Sequence, residues 1–405
     1  MSQDYDLAIV GGGLVGASLA VALADSPLRV VLIEAAAPPV GVPAWDERCI
    51  ALNDASRRIF GGYGVWDALR SEAAPITATH ISERGRFGTT RFSAAEAGLQ
   101  ALGYNVPLRA IGAALLQRMA ALPRLELLQP ARLVAIEPPG ADAVMLSVDA
   151  GGAMRRIGAR LVVAADGARS AVRELLGISA EQRDYEQHAI VSAVRSSRPH
   201  QGVAYERFTP EGPIALIPKP EDAASLVWTV PQARVQERLA LDDAAYLAQA
   251  QDCFGGRLGR FTALGRRWSF PLARVLSGTL TAPRTVFIGN AAQSLHPVAA
   301  QGFNLGLRDV ATLAGLLAAA PDPGAAELLA EYAARRERDR NRVAGLTDLM
   351  VRAFSNRVPV LSQARHWGLV AVELAAPLRE AVLRQHLGQL GLPRSAVGSS
   401  LGEEG

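Results

Sequence analysis

The run that most constrains the fold lies near the N-terminus. Tyr5-Asp-Leu-Ala-Ile-Val10 is a short apolar segment suited to a buried parallel strand, and Gly11-Gly12-Gly13-Leu14-Val15-Gly16 follows it at once. An Ala- and Leu-rich segment to about Asp25 predicts a helix, Arg29-Val-Val-Leu-Ile33 predicts a second strand, and Glu34 closes that strand. Each part has a physical task. Gly11 permits the tight turn, Gly13 lets the backbone approach a pyrophosphate, and Gly16 lets the helix pack closely. The helix N-terminus offers unpaired N–H groups and a positive dipole end to phosphates. Glu34 can accept hydrogen bonds from both hydroxyls of an adenosine ribose and repels a 2′-phosphate. Glycines alone are a weak signal, but strand, glycines, helix, strand and acid at this spacing are specific for a dinucleotide, FAD or NAD.

At 405 residues and 49% apolar composition, the chain has material for two or three domains with full cores. Lys and Arg number 42 against 39 Asp and Glu, a net charge of +3 without the concentrated basic face that nucleic acid requires. The densest basic run, Arg335-Arg-Glu-Arg-Asp-Arg-Asn-Arg342, is interleaved with acids. On a helix it reads first as a solvated, self-paired face and second as a patch for anionic lipid. Cys49 and Cys253 fit neither a disulfide framework nor metal spacing, so no metal is expected and a reducing cytoplasm is. The acidic start does not read as a signal peptide, and no apolar window reaches the ~18 residues of a spanning helix.

Two later motifs add chemistry. The predicted strand Leu161-Val-Val-Ala-Ala165 ends in Asp166-Gly167-Ala168-Arg169-Ser170, with Arg173 a helical turn on. The predicted strand Thr285-Val-Phe-Ile288 ends in Gly289-Asn290-Ala291-Ala292. His296-Pro297-Val-Ala-Ala300-Gln301-Gly302-Phe303-Asn304-Leu-Gly-Leu-Arg308-Asp309 follows and leads into a long apolar helix to about Ala320. Together with the glycine loop, these motifs resemble the class A FAD-dependent aromatic hydroxylases. Within them the chain is most similar to the ubiquinone-biosynthesis hydroxylases, in the 2-polyprenyl-6-methoxyphenol hydroxylase branch. That branch shares Asn at position 290, where most relatives carry Asp. The likeness spans nearly the whole chain, including Tyr205-Glu-Arg-Phe208, Gly212-Pro213 and Ser225-Leu-Val-Trp228.

The resemblance implies a Rossmann-like, glutathione-reductase-type FAD domain of α/β class, an interrupting β-sheet substrate domain (α+β), and C-terminal helices. The expected boundaries are 1–75, 100–180 and 270–325 for the FAD domain, 76–99 and 181–269 for the substrate domain, 326–392 for the helices, and a frayed tail at 393–405. It further implies that Gly11, Gly13, Val15, Gly16 and Glu34 hold the ADP half of FAD. Arg48 would approach the pyrophosphate or flavin side, and Arg109, ahead of a helix at 111–121, would also sit on the cofactor. Asp166 would contact the ADP region, though capping the helix that follows is the alternative. Asn290 would meet the ribityl chain, and Gln301, Gly302, Phe303 and Asn304 the isoalloxazine ring. Ala300 departs from the family's usual Gly, adding a methyl group beside that turn. His296 reads first as a structural turn residue held by Pro297, with a catalytic role as the alternative.

The implied reaction is hydroxylation of a polyprenylated methoxyphenol to the benzoquinol through a flavin C4a-hydroperoxide, with NADPH or NADH as transient reductant and O2. The flavin carries that chemistry, so neither a protein nucleophile nor a catalytic base is expected. Val343, Leu346, Met350 and Phe354 form one apolar stripe, for packing or, with Trp367, for lipid or another protein of the same pathway. The expected place is the cytoplasm, with peripheral contact at the inner membrane face. The alternatives are a sister hydroxylase acting at another ring position, a flavin dehydrogenase or polyprenyl reductase, and a flavin-binding scaffold.

Overall fold

A computed structural model describes residues 4–37, 48–86, 88–295, 301–354 and 376–389. The segment Tyr5–Val10 forms the central strand of an eight-stranded sheet, flanked in parallel by Ala153–Ala164 and Val30–Ile33. Leu125–Leu128 and Thr285–Phe287 extend it in parallel on either side, and the latter leads by an antiparallel step to Thr281–Ala282. The antiparallel strands Arg132–Ile136 and Val144–Ala150 branch from the long Ala153–Ala164 strand. Residues such as Leu7, Ile9, Val31, Leu32, Leu161 and Val163 are fully buried, as strands covered on both faces must be. The glycine-loop helix Leu14–Ala22 packs against helix Leu108–Ala120 and helix Gln301–Leu317.

A second sheet has nine strands. It includes Ala180–Ser196, Val203–Phe208, Ile214–Pro218, Ala223–Pro231, Trp268–Ser277 and Ala78–Glu83. The predicted strands 189–194, 214–217 and 226–230 fall inside three of these. Helix Asp243–Phe254 covers one face, where Trp228 and Tyr246 meet edge-on at 5.4 Å and Arg238 stacks over the Trp228 ring at 5.0 Å. A small third sheet, Cys49–Asn53 with Gly103–Pro107 and Ala74–Ile76, lies between the larger two, bonded to the second sheet through the Asn105 amide on Pro218 O at 2.8 Å.

Two features join the layers. Strand Ala180–Ser196 pairs along most of its length with Trp268–Ser277, interrupted by a bulge between Asp184 and Gln187. Strand Trp268–Ser277 in turn pairs with Gln293–Ser294, which lies just beyond the Gly289–Asn290 turn.

The second feature corrects the expectation for residues 335–342. Helix Ala326–Phe354 turns Arg336, Asp339 and Arg340 inward, while Arg335, Glu337, Arg338, Asn341 and Arg342 face solvent. Arg336 Nε donates to Asp309 Oδ1 at 2.7 Å and its Nη1 to Asp339 Oδ2 at 2.8 Å. Arg308 donates to Asp339 Oδ1 at 2.8 Å, and all four side chains are at most 2% exposed. Burial alone would weaken the protonation of Arg336, but Asp309 and Asp339 outweigh it and push its pKa up. The run is therefore split: its outer members form the solvated face expected of it, and its inner members hold this helix to helix Gln301–Leu317. The expected apolar stripe also divides: Val343 is buried while Leu346 is 40% exposed. Met350 and Phe354, as side chains, and Trp367 and the 393–405 tail lie outside the described residues, as do His296 and Ala300. Among the described residues no helix is long and apolar enough to cross a membrane.

Removing one member of a buried charge network leaves its partners uncompensated, at a cost of about 3–5 kcal/mol. Arg336→Ala is expected to lower unfolding stability by that order, measured by the shift in the urea midpoint, whereas Arg335→Ala on the exposed side of the same helix is expected to change it by less than ~1 kcal/mol.

Candidate functional site

Several turns meet at the carboxyl edge of the parallel sheet. Register places Val10 beside both Ile33 and Ala164, and Ala164 beside Phe287. The glycine loop, Glu34, the Asp166–Gly167 turn and the Gly289–Asn290 turn thus leave the sheet side by side. This is the edge where open α/β sheets bind ligands.

The glycines are there for local reasons. Gly11 has φ of +103°, and a Cβ on it would collide with the Ala165 carbonyl oxygen. A Cβ on Gly16 would collide with the Gly11 carbonyl oxygen, so this position must be glycine for the helix to start where it does. Gly13 differs. It is the exposed N-cap of the helix, no side chain caps it, and a Cβ there would meet nothing within 4 Å. The first amides of the helix therefore face open space, as a phosphate site requires. Val15 is the peg of the arrangement. Its methyl groups stand 3.0 Å from a Cβ built on Gly289 and 2.9 Å from one on Gly306, so the loop, the late turn and helix Gln301–Leu317 close around one side chain.

The acids are partly engaged already. Glu34 accepts the Gly12 and Ala36 N–H groups, each at 2.6 Å, and each of its oxygens retains a lone pair. Asp166 Oδ2 accepts the Val172 N–H at 3.0 Å in the first turn of helix Ala171–Leu175, whose N-cap is Ser170. The capping alternative for Asp166 thus describes one of its oxygens. The other, Oδ1, is buried with no hydrogen-bond partner among the described residues. Such an atom is costly unless something else donates to it. Arg173, which sequence spacing gave no role, is buried and donates to Ala168 O at 2.7 Å and Ala291 O at 2.9 Å, tying the two turns together.

Asn290 stands exposed at the tip of its turn, while Asp309 accepts the Gly289 N–H at 2.9 Å and the Gln293 amide at 2.6 Å. Helix Gln301–Leu317 begins with a buried Gln301 and an open Gly302. Asn304 is committed to structure: it donates to Ala51 O at 2.9 Å and accepts the Asn53 N–H at 3.0 Å. The Phe303 ring packs toward Phe60 at 6.2 Å. The two arginines also find protein partners. Arg109 lies inside the first turn of helix Leu108–Ala120, earlier than the predicted start at 111, and pairs with Glu72. Arg48 stacks over Trp268 and Phe270 of the second sheet, at 5.7 and 5.3 Å.

That stacking locates a second wall. The face of the nine-stranded sheet away from helix Asp243–Phe254 presents a row read across the register: Ile81, Glu206, Ala215, Val227, Val191 and Trp268. All six keep accessible surface, whereas Ile190, Leu216, Leu226 and Trp228 on the other face are fully buried. The row is a largely apolar, part-exposed stripe on the sheet face that carries Trp268, over which Arg48 stacks. A cavity of about 490 Å3 lined by Arg84, Glu211, Arg238 and Cys253 lies on the helix-covered side and is charged in character. Among the described residues no group of His, Cys, Asp or Glu is placed to hold a metal ion.

Comparison with known proteins agrees with this geometry. The family model described as "FAD binding domain" matches residues 4–346. A curated relative, ubiquinone hydroxylase UbiL of Rhodospirillum rubrum, is 41% identical over 96% of this chain and 90% of its own. The 3-demethoxyubiquinol 3-hydroxylase of Escherichia coli is 35% identical over 96% of this chain and 99% of its own. In fold, the chain is similar to p-nitrophenol 4-monooxygenase PnpA from Pseudomonas putida, with a TM-score of 0.79 at 17% identity over 96% of this chain and 99% of that one. The open amides at Gly13, the unpartnered Asp166 oxygen and the match from end to end of both sheets lead to one assignment: the chain belongs to the FAD binding domain family and is an FAD-dependent monooxygenase of the hydroxylase type.

Proposed function

We propose that this protein hydroxylates the ring of a polyprenylated phenol in ubiquinone biosynthesis, with NADPH or NADH as reductant and O2 as oxidant. The observation that carries the reading is the meeting of the three turns at one sheet edge, with a largely apolar wall of the second sheet on the other side of Arg48. Open helix amides suit a diphosphate, and a wall of Ala215, Val227, Val191 and Trp268 suits an apolar aromatic ring. The names and identities of the two curated relatives support the pathway.

In this reading the backbone of Gly11, Gly13, Val15 and Gly16 and the free lone pairs of Glu34 hold the ADP half. Asp166 Oδ1 takes a donor from the cofactor, Asn290 meets the polyol chain, and Gln301 and Gly302 present the start of their helix to the ring system. Arg48 and Arg109 border the site. Asn304 and Phe303 act one step removed, by fixing that helix to the strand at 49–53 and to Phe60. When bound, FAD supplies the redox chemistry. The chain positions the aromatic ring and keeps water from it with the apolar wall.

For ring position, the Asn290 motif favours 2-polyprenyl-6-methoxyphenol. The 35% identity to the Escherichia coli 3-demethoxyubiquinol 3-hydroxylase favours a second reading, a sister reaction at another carbon. Mass spectrometry of quinone intermediates in cells lacking the protein separates them. Accumulated 2-polyprenyl-6-methoxyphenol, cleared on restoration, is the expected result; an accumulated demethoxyubiquinol selects the sister reaction, and normal ubiquinone overturns both. On the cofactor side, Gly16→Ala is expected to lose FAD during purification, seen as a several-fold fall in the ratio of flavin to protein absorbance, because its methyl group collides with the Gly11 carbonyl.

A further inference from the structure

Glu206 is the ionisable member of the row on the sheet face away from helix Asp243–Phe254. It lies in the middle of strand Val203–Phe208, opposite Ala215 on one side and Ile81 on the other. Its strand neighbours point the opposite way: Tyr205 packs on His80 at 5.6 Å and edge-on against Phe254 at 5.8 Å, and Arg207 donates to the Phe254 carbonyl at 2.5 Å. Strand alternation therefore puts the Glu206 carboxyl on the face shared with Ala215, Val227, Val191 and Trp268. Protein surrounds the carboxyl on most sides, and the residue still keeps accessible surface.

On this face the adjoining strands offer Thr79, Ile81 and Glu83 from one side, and Ala215, Ile217, Ser225, Val227 and Thr229 from the other. The nearest ionisable group in register is thus Glu83, another acid, and the rest is apolar or hydroxyl. Burial pushes the Glu206 carboxyl up from the ordinary range to about 7. A carboxyl held so is poised to exchange a proton near neutrality, which is the property of a general base.

We infer that Glu206 is the catalytic base that takes the proton from the ring hydroxyl of the aromatic substrate. This rests on the hydroxylase reading above and deepens it. The carboxylate lone pair forms a new O–H bond as the phenolic O–H bond breaks, and the bonding pair stays on the phenol oxygen. The resulting phenolate delocalises charge onto its ortho and para carbons, where an electrophilic oxygen adds. Once oxygen is inserted, the ring carbon gives up its hydrogen as a proton, aromaticity returns, and Glu206 hands its proton back. No further oxidant or reductant enters. The position carries no signal in sequence, since a Glu between Tyr and Arg in a strand looks like a solvent-facing residue; only the register shows which way it points.

The test uses the full-length, FAD-loaded protein. In the wild type, kcat/KM for hydroxylation is expected to rise as pH passes through about 7, far below the ~10 at which a free phenol ionises. Glu206→Gln is expected to lose that limb and about 100-fold or more in rate, to keep its FAD, and to be partly rescued by Glu206→Asp, while Glu83→Gln keeps the limb. A second arm needs no turnover: calorimetric titration with 2-methoxyphenol is expected to show roughly tenfold tighter binding at pH 8 than at pH 5.5 in the wild type and no difference in Glu206→Gln. An E206Q profile with the wild-type limb, or E206Q binding with the wild-type pH dependence, overturns the inference. Should the wild type hydroxylate no phenol, the functional reading fails, and the 2-methoxyphenol arm still decides the role of Glu206.

Discussion

The Asp309 carboxylate is the interaction on which the site depends. One oxygen takes the Gly289 N–H and the Gln293 amide, and the other takes Arg336. A buried carboxylate is costly unless several donors meet it, and here the donors come from a tight turn, a short strand and a distant helix. Satisfying that one charge therefore fixes three elements at once. Arg336 then needs Asp339, and Asp339 needs Arg308, which lies next to Asp309 in the chain. The circle closes, and Tyr332 adds a hydrogen bond to Phe287 O at 3.1 Å, immediately before the turn. The Gly289–Asn290 turn owes its position to the buried ionic network that Asp309 brings up against it.

The same logic runs through the other turns. Arg173 spans from Ala168 to Ala291, so a cation holds the mid-chain turn to the late one. Val15 fills the gap between the glycine loop and the Gly306 face of the following helix. Nothing at the sheet edge is positioned by its own loop alone. Each turn is held by a residue from another part of the chain, which lets short glycine-rich segments keep a fixed shape despite their backbone freedom.

Much of this was legible in sequence, and the limits have physical causes. The glycine loop was readable because its demands are local: a positive φ at Gly11 and a forbidden Cβ at Gly16 depend on neighbours a few residues away. The turns after 165 and 288 were readable as strand ends for the same reason. The arginine run was not. Arg and Asp three residues apart serve equally well on a wet helix face and in a dry network, and only the packing of helix Gln301–Leu317 against helix Ala326–Phe354 chooses between them. Asn304 and Phe303 sit in a motif associated with the cofactor, yet Ala51, Asn53 and Phe60, some 250 positions earlier, claim their side chains. Glu206 was invisible because strand direction, not residue type, sets the face it lies on.

The ribbon that joins the layers has a mechanical consequence. Strand Trp268–Ser277 is hydrogen-bonded on one edge to Ala180–Ser196 and on the other to Gln293–Ser294, a few residues from the Gly289–Asn290 turn. The wall and the turn are thus parts of one beam. A swing of the large antiparallel sheet would shear that ladder, so the gap between wall and turn behaves as a fixed gauge. For the polyprenylated phenol proposed above, ring size would then be selected by a distance set at folding, and the tail would leave along the rim instead of prising the halves apart.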